Sequence, residues 1–232
     1  MTNRTWDLLL LGGASGVGKS LAAARLAADT GAFVVEFDDV VAAVQELTTP
    51  AHHPDLHLFD DGSDVGDGSD VRDGSNVRDG SGVGATPAQD LPPERVLDLQ
   101  IATAEALEPA LLGVVRNRLT VPVPAVVEGD YLTPAACARA VALGRAAGRD
   151  VRAVFLHEGD AGRITANYAA REPGSGVQAD RAEVSARYSR WLAAGARRHA
   201  LPVVDCRPWA TLADRLDRAL ETAGAAGGQI SV

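Results

Sequence analysis

A glycine-rich stretch near the start of the chain has the residue types and spacing that bind a phosphate chain. Residues 13–20 read Gly-Ala-Ser-Gly-Val-Gly-Lys-Ser and fit the pattern Gly-x-x-x-x-Gly-Lys-Ser/Thr. The glycines let the backbone curl, so that successive N–H groups can point at phosphate oxygens. The Lys19 ammonium is a compact charge that can reach the outer phosphates, and the Ser20 hydroxyl is a ligand for nucleotide-bound Mg²⁺. We therefore predict a nucleotide site at this loop, here called the P-loop.

The sequence around the P-loop supports this prediction. The apolar run before it, residues 6–11, indicates a buried strand, and a helix-compatible segment follows as far as Gly31. Lys19 is the only lysine among 22 Lys and Arg residues, which indicates that this position needs an ammonium group rather than a guanidinium. The residues predicted to contact the nucleotide are Gly13, Ala14, Ser15, Gly16, Val17, Gly18, Lys19, Ser20 and Leu21.

Two adjacent carboxylates, Asp38 and Asp39, follow the next predicted strand, residues 32–37. A carboxylate at that point can orient the hydroxyl group of a phosphate acceptor and take its proton as transfer proceeds. The alternative is structural, because Asp is also a good N-cap for the helix predicted at residues 40–47. We predict that at least one of the two acts on substrate or Mg²⁺, and the residues alone leave open which one is the base.

A third predicted strand, residues 123–127, leads directly into Glu128. A carboxylate at the end of an apolar strand is typical of the position that holds Mg²⁺ through a bound water in nucleotide-binding proteins. We therefore predict that Glu128 and Ser20 form the metal side of the site. Asp130 could face the acceptor. The alternative for both carboxylates is an ordinary turn around Gly129.

Two arginines, Arg163 and Arg171, lie eight residues apart on a predicted helix and therefore share one face of it. Residues 159–178, which contain glycines on either side of that helix, are predicted to form a lid. Closing such a lid would bring the two guanidinium groups to the charge on a transferring phosphoryl group. The alternative is a solvated basic face, which is common on the helices of an arginine-rich chain.

Five short apolar segments alternate with helix-compatible segments along the chain. That alternation predicts an α/β fold with a five-stranded parallel sheet and helices on both of its faces. In such sheets, ligand sites lie at the carboxyl ends of the strands, so the P-loop, Asp38 and Glu128 are expected to meet at one edge. The predicted fold class is a P-loop NTPase fold with a helical lid, as a single domain over residues 1–232.

Residues 60–90 interrupt this alternation with an insertion of low complexity. Within it, residues 61–84 are four tandem hexapeptides, each of which begins Asp-Gly-Ser. So few apolar groups cannot offset the entropy cost of ordering, and we predict a disordered loop. A Ca²⁺-binding β-roll is the alternative for Asp- and Gly-rich repeats, but the period here is six residues rather than nine. Residues 224–232 are predicted to be a flexible tail.

The composition argues against several classes of protein. A net charge of −9 and a pI near 5.0 make nucleic acid an improbable partner. The chain has no apolar run long enough to cross a membrane, and its first apolar run is too short for a signal peptide. Cys137 and Cys206 lie in unrelated contexts, so neither a disulfide framework nor a cysteine zinc site is predicted. We expect a cytoplasmic protein without a membrane partner.

The order of elements, the P-loop, the carboxylate after the second strand and the lid arginines together resemble the P-loop kinase superfamily. Residues 128–134, Glu-Gly-Asp-Tyr-Leu-Thr-Pro, are similar to a stretch of 2-phosphoglycerate kinase, and so is His157-Glu158 with the arginine-bearing helix after it. Chloramphenicol phosphotransferase and the zeta-toxin kinases share the same outline. The resemblance implies ATP and Mg²⁺ as cofactors, Asp38 as the base and Asp39 as the second candidate.

The expected activity is transfer of the γ-phosphate of ATP to a hydroxyl group of a small molecule. The residues expected to carry the reaction are Lys19, Asp38, Asp39, Arg163 and Arg171. The sequence departs from 2-phosphoglycerate kinase at Ala42 and Ala43, because that family usually has an Arg shortly after its Asp. The alternatives are a nucleoside or nucleotide kinase, an antibiotic phosphotransferase, and a non-catalytic ATP-binding regulator. Neither the acceptor nor the oligomeric state can be predicted.

Overall fold

The computed structural model describes residues 6–57 and 91–227. The predicted insertion at residues 60–90 lies outside the described residues, and so does the end of the predicted tail, residues 228–232.

A parallel sheet of five strands, in the order β2-β3-β1-β4-β5, forms the centre of the fold. The P-loop strand is therefore the middle strand, which puts the carboxyl ends of all the others on either side of the loop. The strands are β1 Leu8–Gly12, β2 Phe33–Glu36, β3 Ala125–Gly129, β4 Val151–His157 and β5 Val203–Asp205. The predicted sheet is confirmed in its strand number and in its parallel direction.

The helices of the described residues connect these strands. They are α1 Lys19–Thr30, α2 Phe37–Leu47, α3 Pro93–Ala106, α4 Glu108–Thr120, α5 Pro134–Ala146, α6 Ala161–Arg171, α7 Ala179–Arg198 and α8 Leu212–Gly227. None of these helices is both long and apolar enough to cross a membrane.

The core is built around β1, whose five residues are all buried. Because successive side chains of a strand point to opposite faces, this burial requires cover on both faces of the sheet. Helices α1, α5, α7 and α8 pack against β3 and β4 to provide it. The apolar interior fixes the strands, so the loops at their carboxyl ends rest on a rigid support.

The start of α2 differs from the sequence prediction. The helix begins at Phe37, directly after β2, so Asp38 and Asp39 lie in its first turn and its N-cap is Glu36. The N-cap interpretation of the two aspartates is therefore wrong. Phe37 is fully buried, and its Cβ packs against Gly129 of β3, which explains why the helix starts there. Carboxylates in a first helical turn are favoured by the helix dipole.

Helices α3 and α4 meet at Leu107, and Pro109 lies in the first turn of α4. Proline is tolerated there because the N–H groups of a first turn have no intrahelical acceptor, so the N–H group that proline lacks leaves no hydrogen bond unmade. Helix α8 continues to Gly227, past residue 224, where the flexible tail is predicted to begin.

A glycine-to-alanine substitution is expected to have opposite effects on stability in α5 and in α4, because only the glycine of α5 is tightly packed. A Cβ added at Gly144 would lie 2.6 Å from Val151 Cβ, whereas nothing lies within 4 Å of a Cβ added at Gly113 of α4. We expect Gly144→Ala to lower the free energy of unfolding by about 1–3 kcal/mol through overpacking. Gly113→Ala should raise it by about 0.5–1 kcal/mol through helix propensity. Denaturant unfolding measures both, and equal effects would contradict the packing described.

Candidate active site

The P-loop joins β1 to α1 and depends on glycine at two points of close packing. Gly16 has φ +75°, and a Cβ there would lie 3.0 Å from both Ile164 and Tyr168 of α6. Gly18 has φ +90°, and a Cβ there would collide with the Trp209 ring. Both values of φ lie in the region that favours glycine. The loop is therefore clamped between α6 and the segment that follows β5.

Hydrogen bonds hold the P-loop from the same two directions. Asn167 of α6 donates to the Gly16 carbonyl at 2.8 Å, and the Cys206 thiol donates to the Val17 carbonyl at 3.0 Å. Arg207 donates to the Asn167 Oδ1 at 3.0 Å, which joins the two supports. These bonds use carbonyl groups of the loop, so they leave its N–H groups available to an anion.

The N-terminus of α1 fits a phosphate group. The N-cap of α1 is Gly18, so the N-cap residue offers no side-chain acceptor to the first N–H groups of the helix. The first turn of α1 also contains no acidic residue. The first N–H groups of a helix have no intrahelical acceptor and carry the positive end of the helix dipole. An anion held there would supply the missing acceptors.

Lys19 is buried, with 7% of its side-chain surface exposed, and it lies among carboxylates. Its Nζ donates to the Ala14 carbonyl at 3.1 Å and forms an ion pair with Asp130. Burial lowers the pKa of Lys19, but Asp130, Glu128 and Asp38 raise it more, so its pKa lies above its ordinary value. The site therefore holds a permanently charged ammonium group.

Ser20 and Glu128 form the predicted metal side of the site. The Ser20 hydroxyl donates to Glu128 Oε1 at 2.8 Å, and Glu128 is buried, with 4% of its surface exposed. Burial raises the pKa of Glu128 above its ordinary value, against the effects of Lys19 and Ser20. A hydroxyl and a carboxylate in contact are oxygen ligands of the kind that Mg²⁺ prefers, so these residues fit that ion.

Asp38 and Asp39 are both exposed residues in the first turn of α2, and Asp38 lies close to the charges of Asp130, Lys19 and Glu128. Partial burial and repulsion by Asp130 raise the pKa of Asp38 to about 6, although Lys19 and a hydrogen bond from the Asp130 backbone oppose the rise. A carboxylate with such a pKa is suited to accept a proton near neutral pH. The geometry therefore favours Asp38 over Asp39 as the base.

Two tyrosines, Tyr131 and Tyr188 of α7, lie near the carboxylates of Asp38 and Asp130. Tyr188 is fully buried and donates its hydroxyl hydrogen to the Asp130 carbonyl at 3.1 Å. Burial raises the pKa of Tyr131, and the charges of Asp130 and Asp38 raise it further. Both hydroxyl groups therefore remain protonated and neutral. They border the carboxylates without compensating their charge.

The predicted lid arginines lie on α6 and are paired with nearby carboxylates. Arg163 is 3.6 Å from Glu158 and 3.7 Å from Asp160, and it is 56% exposed. Arg171 donates to Glu172 at 2.9 Å and is 55% exposed. Their ion-pair partners lie at the ends of α6 rather than in the P-loop.

A cavity of about 350 Å³ opens at the carboxyl ends of β4 and β5. Its lining residues are His157, Glu158, Gly159, Asp160, Arg163, Asp205 and Arg207. The cavity lies at the β4 and β5 ends of the sheet, whereas Asp38 follows β2 at the opposite edge. The P-loop follows β1, so it begins between the cavity region at β4 and β5 and the carboxylate region at β2 and β3.

Sequence reasoning missed the residues that support the P-loop. Asn167 lies midway between Arg163 and Arg171 at helical spacing, so that spacing could have identified it. Trp209 follows β5, but nothing in the sequence distinguishes its contact with Gly18 from ordinary core packing. The ion pair between Asp130 and Lys19 was also not predicted, because it joins residues 111 positions apart.

Comparison with known families identifies the class of protein. Residues 8–187 match a family described as an AAA domain (AAA_33), and the match spans more than half of the chain. The chain therefore belongs to this AAA domain family, which confirms the predicted P-loop NTPase class. No curated protein matches the sequence significantly.

Solved structures with similar folds include three kinases. A gluconokinase from Sinorhizobium meliloti superimposes with a TM-score of 0.54 at 15% identity, covering 98% of this chain and 100% of that one. A shikimate kinase from Acinetobacter baumannii, in complex with shikimate, gives 0.46 at 11% identity, covering 98% and 97%. A sugar kinase from a Janibacter species gives 0.44 at 18% identity, covering 95% and 98%. The first of these likenesses confirms the predicted fold class.

The raised pKa of Asp38 predicts that this residue destabilises the folded chain at neutral pH. The folded state binds the Asp38 proton more tightly than the unfolded state, so ionisation of Asp38 lowers the free energy of unfolding. This loss of stability is absent at pH values below the ordinary pKa of Asp38 and is complete above about pH 6. Asp38→Asn should raise the free energy of unfolding at pH 8 by about 1 kcal/mol, allowing for partial exposure, and change it little at pH 4. Denaturant unfolding at both pH values measures this difference.

The control is Asp39→Asn, which replaces the neighbouring carboxylate of the same helical turn. It should leave the stability at both pH values nearly unchanged. Destabilisation at pH 8 by the Asp38 substitution would contradict the electrostatic description of the site.

Proposed function

We propose that this protein is an ATP- and Mg²⁺-dependent kinase that phosphorylates a hydroxyl group of a small molecule. The observation that carries the proposal is that the Lys19 ammonium lies within electrostatic reach of both Asp38 and Glu128, the carboxylate that accepts the Ser20 hydrogen bond. Membership of the AAA domain family supports the nucleotide site, and the likeness to a gluconokinase is consistent with this activity.

The P-loop would bind the phosphates of ATP through its N–H groups, with the Lys19 ammonium on the outer phosphates. The cavity at the carboxyl ends of β4 and β5 would receive the nucleoside part. Ser20 and Glu128 would hold Mg²⁺, which when bound neutralises charge on the phosphates and orients them. Asn167 and Trp209 would act indirectly, because they hold the loop and contact no reacting atom.

Asp38 would orient the acceptor hydroxyl group and accept its proton. In the transfer, the hydroxyl oxygen forms a bond to the γ-phosphorus while the bond to the bridging oxygen of ATP breaks. The proton passes to an Asp38 carboxylate oxygen, and ADP carries away the electrons of the broken bond. Alignment of the two oxygens is the main contribution required of the protein.

Residues 159–178 are the proposed lid. Arg163 lines the nucleotide cavity and is exposed, so a modest movement away from Glu158 and Asp160 would free it for the phosphates. Arg171 would have to leave Glu172 to act. The two arginines would then stabilise charge on the transferring group.

The first prediction from this function concerns Lys19. Lys19→Ala removes the ammonium group from the phosphates and should lower kcat/KM for ATP by at least about 100-fold. Coupled assay of ADP formation with an acceptor measures the rate, and circular dichroism shows whether the variant is folded. A folded variant with the rate of the wild type would contradict the proposed mechanism.

The second prediction separates the two aspartates. Asp38→Asn should lower kcat by about 100-fold or more, since the general base is lost, whereas Asp39→Asn should have a much smaller effect. In the wild type, the rate should fall as the pH drops below about 6, because Asp38 then becomes protonated. The pH profile of kcat/KM for the acceptor tests this. A larger loss in the Asp39 variant would reassign the base.

A further inference from the structure

The arginine that follows β5, Arg207, is a cation whose charge the described residues leave uncompensated. It is half-buried, and it lines the cavity at the carboxyl ends of β4 and β5. The other arginine of the cavity, Arg163, is paired with Glu158 and Asp160, whereas no carboxylate of the described residues forms an ion pair with Arg207. Because a guanidinium group stays protonated in proteins, Arg207 offers a full positive charge to a ligand in this cavity.

Neutral groups hold the Arg207 guanidinium in place. Its Nη2 donates to Asn167 Oδ1 at 3.0 Å, and its central carbon lies 5.0 Å from the centre of the Trp209 ring. Asn167 in turn donates to the Gly16 carbonyl at 2.8 Å, so the oxygen and the nitrogen of its amide are both hydrogen-bonded. An amide and an aromatic ring orient a guanidinium group without neutralising it.

The position of Arg207 joins the two parts of the nucleotide site. Its partner Asn167 is bonded to the P-loop at Gly16, and Trp209 packs against Gly18, the N-cap of α1. In the proposed function, the P-loop binds the outer phosphates and the cavity receives the nucleoside. The phosphate chain then passes from one to the other, beside the arginine that lines the cavity and is braced on the loop.

The charges of the cavity make a cation necessary for binding a phosphate there. Three carboxylates, Glu158, Asp160 and Asp205, line the cavity together with the two arginines. Arg163 is engaged by the first two carboxylates, so among the lining residues Arg207 is the positive charge left for an anion. The planar fork of a guanidinium group also matches the geometry of phosphate oxygens.

We propose that Arg207 binds the phosphate chain of the nucleotide, at the phosphate nearest the nucleoside, and that Asn167 is the positioning residue that orients it. The inference rests on the proposed function and adds a second phosphate-binding cation beside Lys19. The contact is a charge-assisted hydrogen bond, and no covalent bond forms or breaks at Arg207.

The experiment measures binding rather than turnover. Calorimetry with Mg²⁺ gives the Kd of a non-hydrolysable ATP analogue, and displacement of that analogue gives the Ki of inorganic tripolyphosphate, which has no base. Arg207→Gln removes the charge and keeps an amide that can donate to Asn167. It should raise both constants by at least about tenfold, which is the usual worth of a hydrogen bond to a charged group.

Two substitutions test the role of Asn167. Asn167→Asp still accepts the hydrogen bond of Arg207 but neutralises its charge, so it should raise the Kd of the analogue by at least about tenfold with Arg207 in place. Asn167→Ala should raise this Kd by at least about threefold, and it should have a smaller effect in the Arg207→Gln background, because a positioning residue acts through the residue that it orients.

The matched control is Arg118→Gln. Arg118 lies in the last turn of α4 and also donates to an asparagine side chain, that of Asn117 at 3.3 Å. This variant should leave both binding constants unchanged. Thermal unfolding shows which variants are folded, and Asn167→Asp decides the inference if Arg207→Gln is not folded.

Each outcome decides the inference. Wild-type affinity for the analogue in a folded Arg207→Gln or Asn167→Asp variant would overturn it and leave the proposed kinase intact. A loss for the analogue without a loss for tripolyphosphate would also overturn it, because Arg207 would then contact the base. Fully additive effects of Asn167→Ala and Arg207→Gln would overturn the positioning role. If the wild type binds neither compound, the proposed function fails and this inference fails with it.

Discussion

The ammonium group of Lys19 is the charge around which the described site is arranged. Asp38, Glu128 and Asp130 come from the ends of β2 and β3, and all three act electrostatically on this one buried cation. Three carboxylates this close repel one another, which is why burial and mutual repulsion raise the pKa of Asp38. The sheet holds them together, because β1 and its loop lie in the middle and the rigid core fixes the neighbouring strand ends.

The support of the P-loop explains why distant segments matter to the site. Gly16 and Gly18 provide both the backbone conformation and the space for contact with α6 and Trp209. Helix α6 therefore has two functions in our account: it braces the loop through Asn167 and carries Arg163 at its exposed side. A movement of this helix would alter the loop and the arginines together, as a lid requires.

The fold and the loop that carries Lys19 could be predicted from the sequence because they depend on local patterns. Apolar runs, glycine spacing and the single lysine specify β1, the P-loop and Lys19, and the alternation of segments specifies a parallel sheet. The start of α2 could not be predicted, since it depends on burial of Phe37 against Gly129. For the same reason the proximity of Asp38 to Lys19 and Asp130, and the pairing of Asp130 with Lys19, required three-dimensional structure. These features depend on side chains that are far apart along the chain.

The central claim, phosphate transfer to an organic hydroxyl group, is tested most directly by following the γ-phosphate itself. The protein would be incubated with Mg²⁺, ATP labelled at the γ-phosphate and pooled hydroxyl compounds, with Lys19→Ala as the blank. The account predicts that the label appears in an organic phosphate ester with the wild type and not with the variant. Label found only in inorganic phosphate, at a rate that no acceptor changes, would contradict it.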